Sequence, residues 1–290
     1  MDQKALHQLV SVAASVKMNP AGDQYSSLSL PASKEMAKKH GISRRMVEIA
    51  ALEAEIIPER YQRSIGTVGI EGQIRLLKST VGVVGAGGLG GFVLELLARM
   101  GVGRLIVVDD DVFNESNLNR QLIAHEKNLE YPKADAAAKR IFEINGAVAV
   151  KAFNRRGDVS NLPEIFEGCD LLLDCLDNLS SRYDLEKVSS KLGVYMIHGA
   201  IAGFLGQLAV IRPDQPVLKY IYGPEGEGKF DKGAEVQLGN PATTPAMLAS
   251  WQTNEAVKIL AGLEGVLPKD KLLIIDMQSG ESFLLEVNTS

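Results

Sequence analysis

The stretch Gly85-Ala86-Gly87-Gly88-Leu89-Gly90 matches the pattern G-x-G-x-x-G and stands between an apolar run and a helix-like segment. That context is what makes the pattern a phosphate cradle. Gly85 permits a tight turn, and Gly87, with Gly88 beside it, lets backbone approach an anion. Gly90 and Gly91 allow the following helix to pack closely. The helix start then offers free N–H groups and the positive end of its dipole. Asp109 lies 24 positions after Gly85, where an acid commonly holds a ribose hydroxyl. A glycine turn with no ligand is the bland alternative.

These residues alone would suit a dinucleotide, but those after Asp109 point elsewhere. Asp111 and Ser116-Asn117-Leu118-Asn119-Arg120-Gln121 form a polar stretch beyond an expected strand end, and Lys133 opens the next helix. Two cations converging on a phosphate loop fit a triphosphate better than a pyrophosphate already held by amides. Asp177, with Asn178 beside it, ends a central apolar strand and is placed to bind Mg²⁺. Its alternative is a helix N-cap.

Three other reactive side chains read as structural. Cys175, close to Asp177, and Cys169, after Gly168 at a strand entrance, read as small buried strand residues, because reduced cysteine is among the most buried types. His198, at a strand end, reads first as a satisfied core or loop histidine.

The elements that must position these groups alternate from Thr80 onward. Val81–Val84, Leu105–Val108, Ala147–Phe153, Leu171–Cys175 and Val194–Ile197 read as strands. Between them lie helices carrying Leu89, Val93, Leu96, Leu97 and Met100, then Ala137, Ile141 and Ile144 after Pro132, and later Ser181–Leu192. Fully apolar strands alternating with helices predict an α/β, Rossmann-like, doubly wound, mainly parallel sheet. Gln207–Arg212 and Lys219–Tyr222 then read as strands of an antiparallel C-terminal extension, and 223–244 as a mobile loop. A helix over about Pro245–Leu260 and strands at Lys271–Met277 and Ser282–Val287 complete the chain. Residues 59–290 thus form the nucleotide domain.

Residues 1–58 read as a helical appendage. Ala21–Pro31 is loop-like, Ser33 caps a helix through Lys39, Gly41 follows its end, and Ser43 caps another. Helix, glycine turn and helix also outline a DNA-binding motif. A hairpin packing on the main domain or on a partner is preferred, because the net charge of −5 lacks the surplus cations that nucleic acid demands. Apolar runs are strand-length and Met1–Val16 has no signal-peptide core, so the expected setting is cytoplasmic, without membrane. Two cysteines in 290 residues exclude a four-cysteine zinc site.

Taken together, Arg60-Tyr61-Gln62-Arg63, Gly69–Gly72, GAGGLG at 85–90, Asp109-x-Asp111, SNLNRQ at 116–121, Pro132-Lys133, Asp177-Asn178, Ile197–Ile201 and Gln252-x-x-Glu255-Ala256-x-Lys258 resemble the ThiF/MoeB/HesA family. These are bacterial relatives of ubiquitin-activating enzymes. The resemblance runs in order from Glu59 to Val287. It implies ATP phosphates lined by Gly85, Gly87 and Gly90, and ribose on Asp109. Arg120, Gln121 and Lys133 would bind the triphosphate with support from Asn117, and Asp177 would hold Mg²⁺. Arg63 would reach a partner subunit's ATP in a homodimer. The reaction implied is adenylation of the C-terminal Gly-Gly carboxylate of a small ubiquitin-like carrier protein.

Two departures follow. The two Cys-x-x-Cys pairs of many members are missing, so zinc is not expected. The thioester cysteine is missing too: the stretch reads Gly239-Asn240-Pro241-Ala242-Thr243-Thr244-Pro245. Threonine without an activating base is a poor nucleophile, so the chain is expected to stop at the adenylate.

Three rival readings remain open at this point. An NAD(P)-dependent oxidoreductase shares the glycine loop and Asp109 but leaves Arg120, Lys133 and Asp177 unexplained, and needs His198 as acid/base. Adenylation of a small-molecule or tRNA acceptor keeps the chemistry and changes the substrate. A non-enzymatic protein would be a nucleotide-sensing scaffold or a DNA-binding regulator using residues 33–56.

Overall fold

The computed structural model describes residues 2–226 and 235–287. Of the expected loop at 223–244, residues 227–234 lie outside the described residues.

Apolar spacing builds helix α1 (Gln3–Ala13), which buries Leu6 and Val10. Where a loop was expected, Asn19 reverses the chain by accepting the Ala21 and Asp23 amides on Oδ1, each at 2.9 Å. Strands β1 (Ser15–Met18) and β2 (Gln24–Leu28) flank that turn. Helix α2 (Leu30–His40) begins earlier than expected: Ser29, not Ser33, caps it by accepting from Ala32 N at 3.2 Å. Pro31 fits the first turn, where a missing N–H costs nothing. Gly41 ends the helix at φ 64°, and Ser43 caps α3 (Arg44–Glu53) as expected. Strand β3 (Ile57–Pro58) pairs parallel with β2, so the helices are accompanied by a small three-stranded sheet.

The main body runs α4 (Gln62–Lys78), β4 (Thr80–Val84), α5 (Gly88–Met100), β5 (Arg104–Val108), α6 (Lys133–Ile144) and β6 (Ala149–Phe153). It continues with α7 (Leu162–Ile165), β7 (Leu171–Asp174), α8 (Leu179–Leu192), β8 (Tyr195–Ala202) and β9 (Leu205–Ile211). Last come α9 (Leu218–Tyr222), α10 (Glu235–Leu238), α11 (Thr243–Ala261), β10 (Lys271–Asp276) and β11 (Glu281–Glu286). One eight-stranded sheet has the order β11-β10-β9-β8-β7-β4-β5-β6, parallel from β8 to β6 and antiparallel from β8 to β11. This is the doubly wound sheet with its antiparallel extension. Strand direction of growth reverses at β4, so the crevice opens between the carboxyl ends of β4 and β7.

The strands bury both faces. Val81, Val83, Leu105, Val107, Leu171 and Leu173 pack with Val93, Leu97 and Leu248, from α5 and α11, while Val84, Ile106, Val108 and Leu172 pack with Phe166, Leu185 and Val188. Period-two alternation between two apolar layers explains why the sequence shows continuous apolar runs.

Lys219–Tyr222, expected as a strand, is instead the one-turn helix α9. Glu186 of α8 decides this, because its Oε1 accepts the Val217 and Leu218 amides at 2.7 and 2.9 Å. A carboxylate from another element thus caps the turn at its start.

Residues 2–58 are seated on the main body. Tyr61 is fully buried; its hydroxyl donates to Glu48 at 3.0 Å and accepts from Asn145 Nδ2 at 3.1 Å. Arg44 Nη2 donates to Asn145 Oδ1 at 3.1 Å, and Arg45 Nη1 to Gly103 O at 2.8 Å. The cations that begin α3, which a groove-reading helix would present to bases, are therefore spent on the main body. No described helix is long and apolar enough to cross a membrane.

Candidate active site

At the crevice the glycine loop folds as its residues require. Gly85 N donates to Val108 O at 2.9 Å and takes φ 92°; a Cβ there would meet Cys175 O at 2.5 Å. Gly87 and Gly88 face Gln121 and Arg120 with space for an ordinary contact, at 3.5 and 3.6 Å from a notional Cβ. Helix α5 starts with no side-chain cap, which leaves its first amides aimed at the crevice. Gly90 lies behind the loop, outside the cavity lining. Its missing Cβ, which would fall 1.8 Å from Gly85 O, lets the helix close on the turn.

A cavity of about 760 Å³ occupies the crevice. Its walls bring together Gly85, Gly87, Gly88, Asp109, Asp111, Arg120, Gln121, Lys133, Asp177 and Asn178. Besides Gly90, two expected site residues stand apart. Asn117 is buried in the turn below, where Oδ1 accepts from Asn114 N at 3.2 Å and its carbonyl receives the amides of Arg120 and Gln121 at 3.2 and 3.0 Å. It supports the two side chains rather than facing the cavity. Arg63 is exposed on α4 and outside the lining.

Asp109 is partly committed: Oδ2 accepts from Ala86 N at 2.6 Å and Oδ1 from Asp111 N at 2.8 Å. Burial raises its carboxyl above the usual range, against those two bonds and Lys133. Each oxygen retains a lone pair for a hydroxyl donor. Lys133 is buried, with Nζ 2.8 Å from Asp111 Oδ2, so Asp111 acts on that ammonium. Arg120 leans along Gly88 and donates to Ser116 O at 3.0 Å and Asn119 Oδ1 at 2.8 Å. Gln121 Oε1 is buried without a partner among the described residues. An orphaned acceptor on a cavity wall is what a donor on a bound molecule would satisfy.

Asp177 is not the N-cap. Asn178 takes that role for α8, its Oδ1 accepting from Ser181 N at 2.9 Å. Asp177 is left exposed at the cavity, where its hydrogen-bond partner is Asn178 Nδ2 at 3.4 Å. A hard oxygen donor facing a phosphate cradle fits Mg²⁺, which takes one or two carboxylates and completes its shell from phosphate and water. Among the described residues, no three His, Cys, Asp or Glu side chains gather into a cage.

Sequence reasoning missed Arg155, Arg156 and Arg182, which also line the cavity. The first two follow β6, and their signal was position: they extend beyond the carboxyl end of a parallel strand beside the crevice. It also missed Asp174, fully buried and 2.6 Å from His198 Nδ1.

Cys175 and Cys169 are buried, and burial raises both thiols, Cys169 to about 12 and Cys175 well above its ordinary value. A neutral thiol is a weak nucleophile. Cys175→Ala is therefore expected to keep most of any nucleotide chemistry. Pyrophosphate exchange within about threefold of wild type would match the modest loss usual for a small core change; a dead, folded variant would overturn it. His198 is a satisfied core histidine, as first read, its pKa lowered by burial against the pull of Asp174. Gln252 of α11 donates from one amide nitrogen to Asp174 O at the end of β7 and to Ile197 O within β8, both at 2.8 Å.

The chain is similar to known proteins over most of its length. Residues 61–289 match the ThiF family. The chain is 40% identical over 220 residues to the SAMP-activating enzyme E1 of Haloferax volcanii, covering 75% of this chain and 81% of that protein. It is 38% identical over 214 residues to the sulfur carrier protein adenylyltransferase of Thermus thermophilus, covering 71% and 78%. Among solved structures, Escherichia coli MccB superposes with a TM-score of 0.68 at 17% identity over 96% of this chain and 93% of that one, a likeness of fold. Fold, ordered motifs and family match converge, and the chain belongs to the ThiF family.

Proposed function

We propose that this chain is an adenylyltransferase that joins AMP from ATP to the C-terminal carboxylate of a small ubiquitin-like sulfur-carrier protein and releases pyrophosphate. The observation that carries the reading is the gathering of the uncapped α5 start, Arg120, Lys133 and Asp177 around one cavity at the sheet's reversal point. An oxidoreductase has no use for that set of charges. The names of relatives, SAMP-activating enzyme and sulfur carrier protein adenylyltransferase, support a protein carrier over a small molecule. A carrier ending in Gly-Gly fits an attacking carboxylate that must thread a crevice walled by glycine and alanine at Gly199 and Ala200.

The carrier carboxylate attacks the α-phosphorus and the bond to the bridging oxygen of pyrophosphate breaks, so the chain needs no covalent intermediate. The α5 amides and Gly87 hold phosphate, and Asp109 takes the ribose. Arg120 and Lys133 stabilise the charge on the departing pyrophosphate. Asp177 would hold Mg²⁺, with Asn178 beside it, and the ion would neutralise phosphoryl oxygens. Positioning and electrostatics then supply the rate. The acyl group passes to another nucleophile, since Thr244 is buried with Oγ1 donating to Gly203 O at 2.7 Å. A soluble cytoplasmic setting fits such a carrier, and nucleic acid is no part of this reading. Residues 1–58 form a unit of their own beside the nucleotide domain, 59–290.

Carrier-dependent exchange of labelled pyrophosphate into ATP tests the reaction; titration with NADH against ATP–Mg²⁺ tests the rival. A shared site in a homodimer makes a further prediction. Arg63→Ala and Asp177→Ala chains, each nearly inactive, should regain activity when mixed, because one site in a mixed dimer is intact. About a quarter of wild-type exchange is expected for random assortment into two-fold dimers. No recovery on mixing would place Arg63 outside the site.

A further inference from the structure

One buried polar cluster has no part in the chemistry above: Asp174, His198 and Tyr222, joined to Arg182. Asp174 Oδ2 lies 2.6 Å from His198 Nδ1, and His198 Nε2 lies 2.9 Å from the Tyr222 hydroxyl. Arg182 Nη1 donates to that hydroxyl at 2.8 Å, and Gln207 Nε2 donates to it from β9. The remaining contacts close a ring. Arg182 Nη2 donates to Leu176 O at 2.7 Å, and Leu176 N donates to Asp174 Oδ1 at 3.0 Å.

The donors around Tyr222 fix the proton positions. A phenol has one hydrogen and two lone pairs, and guanidinium and amide nitrogens can only donate. Arg182 and Gln207 therefore use the lone pairs, and the phenol hydrogen goes to His198 Nε2. The histidine proton then sits on Nδ1 and is given to Asp174. Every residue of the ring has a hydrogen-bond partner, and Arg182 Nε adds an ion pair to Asp174 Oδ2 at 3.9 Å, so the buried network can fix a geometry.

What the ring encloses is the backbone of Leu176, held at its N–H by Asp174 and at its carbonyl, which opens the peptide to Asp177, by Arg182. The next residue is Asp177, and the one after it, Asn178, is tied down as the α8 cap. Asp177 stands exposed between two fixed neighbours. We infer that Tyr222 is a positioning residue for Asp177, acting from α9 through Arg182 and His198 on the Leu176 peptide that presents the carboxylate to the metal. Helix α9 is thereby coupled to metal binding: Tyr222 is its last residue, and its start is held by Glu186. This rests on the proposed metal role of Asp177.

The test compares calorimetric affinity for α,β-methylene-ATP, which cannot be cleaved between its α- and β-phosphates, with Mg²⁺ and with a chelator. The ratio of the two affinities is the metal-linked gain. In Tyr222→Phe, which removes only the hydroxyl, that gain should fall about tenfold, as for loss of a group that orients a metal ligand, while chelator affinity stays at wild type. Arg182→Lys keeps the charge but not the fork, and should lose a like share; the double variant should lose no more than either, because both act through one path. Arg182→Lys alone decides the matter if Tyr222→Phe does not fold. Asp177→Ala separates the two levels. A wild-type gain in Asp177→Ala removes the metal reading and this inference with it. Loss in Asp177→Ala with a wild-type gain in Tyr222→Phe, or an equal fall with metal and with chelator, overturns the inference and leaves the metal reading standing.

Discussion

Asp177→Ala should lower carrier-dependent pyrophosphate exchange about a thousandfold while leaving the melting temperature within a degree or two, by the usual cost of removing one preorganised electrostatic group from a site and the usual neutrality of exposed substitutions. The second half depends on where the carboxylate stands. Had Asp177 capped α8, its removal would have cost stability, about 1 kcal/mol for a typical cap. Asn178 performs that service instead, so the two functions are separable in adjacent residues. Asn178→Ala supplies the contrast: it should lower the melting temperature and reduce exchange far less. An Asp177→Ala chain that exchanges at more than a tenth of the wild-type rate would remove Asp177 from the mechanism.

Gly90→Ala should damage the fold and the nucleotide site together, whereas Gly87→Ala should damage only the second. A methyl at Gly90 would stand 1.8 Å from Gly85 O, a backbone atom that cannot rotate away, so α5 must move off the turn. Displacement of that kind costs about 3 kcal/mol and lowers the melting temperature by several degrees. At Gly87 the added carbon meets Gln121 Nε2 at 3.5 Å, an ordinary contact, so the protein should keep its stability. The methyl would project where phosphate is expected, and ATP affinity should fall by roughly 100-fold or about 2.7 kcal/mol. Thermal melts with and without ATP–Mg²⁺ distinguish the cases: ligand stabilisation should vanish in both variants, but only Gly90→Ala should melt early on its own. A Gly90→Ala chain with the wild-type melting temperature would contradict the packing account.

The sheet and its crevice were legible in the sequence because their causes are local. Val81–Val84 and Leu171–Leu173 are apolar on both faces, and the glycine pattern reports a backbone approach that no larger residue permits. Lys133, Arg120 and Asp177 were legible for a related reason, since each follows a strand that feeds the crevice. What escaped depends on distant partners. Residues 219–222 alternate like a strand, yet become a helical turn because Glu186, far back in the chain, accepts the two amides just before them. Nor does any spacing announce that His198 and Tyr222 meet, since the contact follows from β8 and α9 arriving at one place. The start of α2 fell between two serines; Pro31 in the first turn marked Ser29 as the cap.

The amide of Gln252 has a consequence for α11 as a whole. A helix whose inward side is hydrocarbon can turn about its axis by tens of degrees, exchanging one set of methyl neighbours for another at little cost. A nitrogen that must find the carbonyls of Asp174 and Ile197 admits a single azimuth, since any rotation would strand it in a dry interior. The polypeptide comes into α11 directly from Asn240, which belongs to the cavity wall. The angular setting of a rod behind the sheet therefore decides where Asn240 stands on the cavity wall, and one glutamine keyed between two strands sets it.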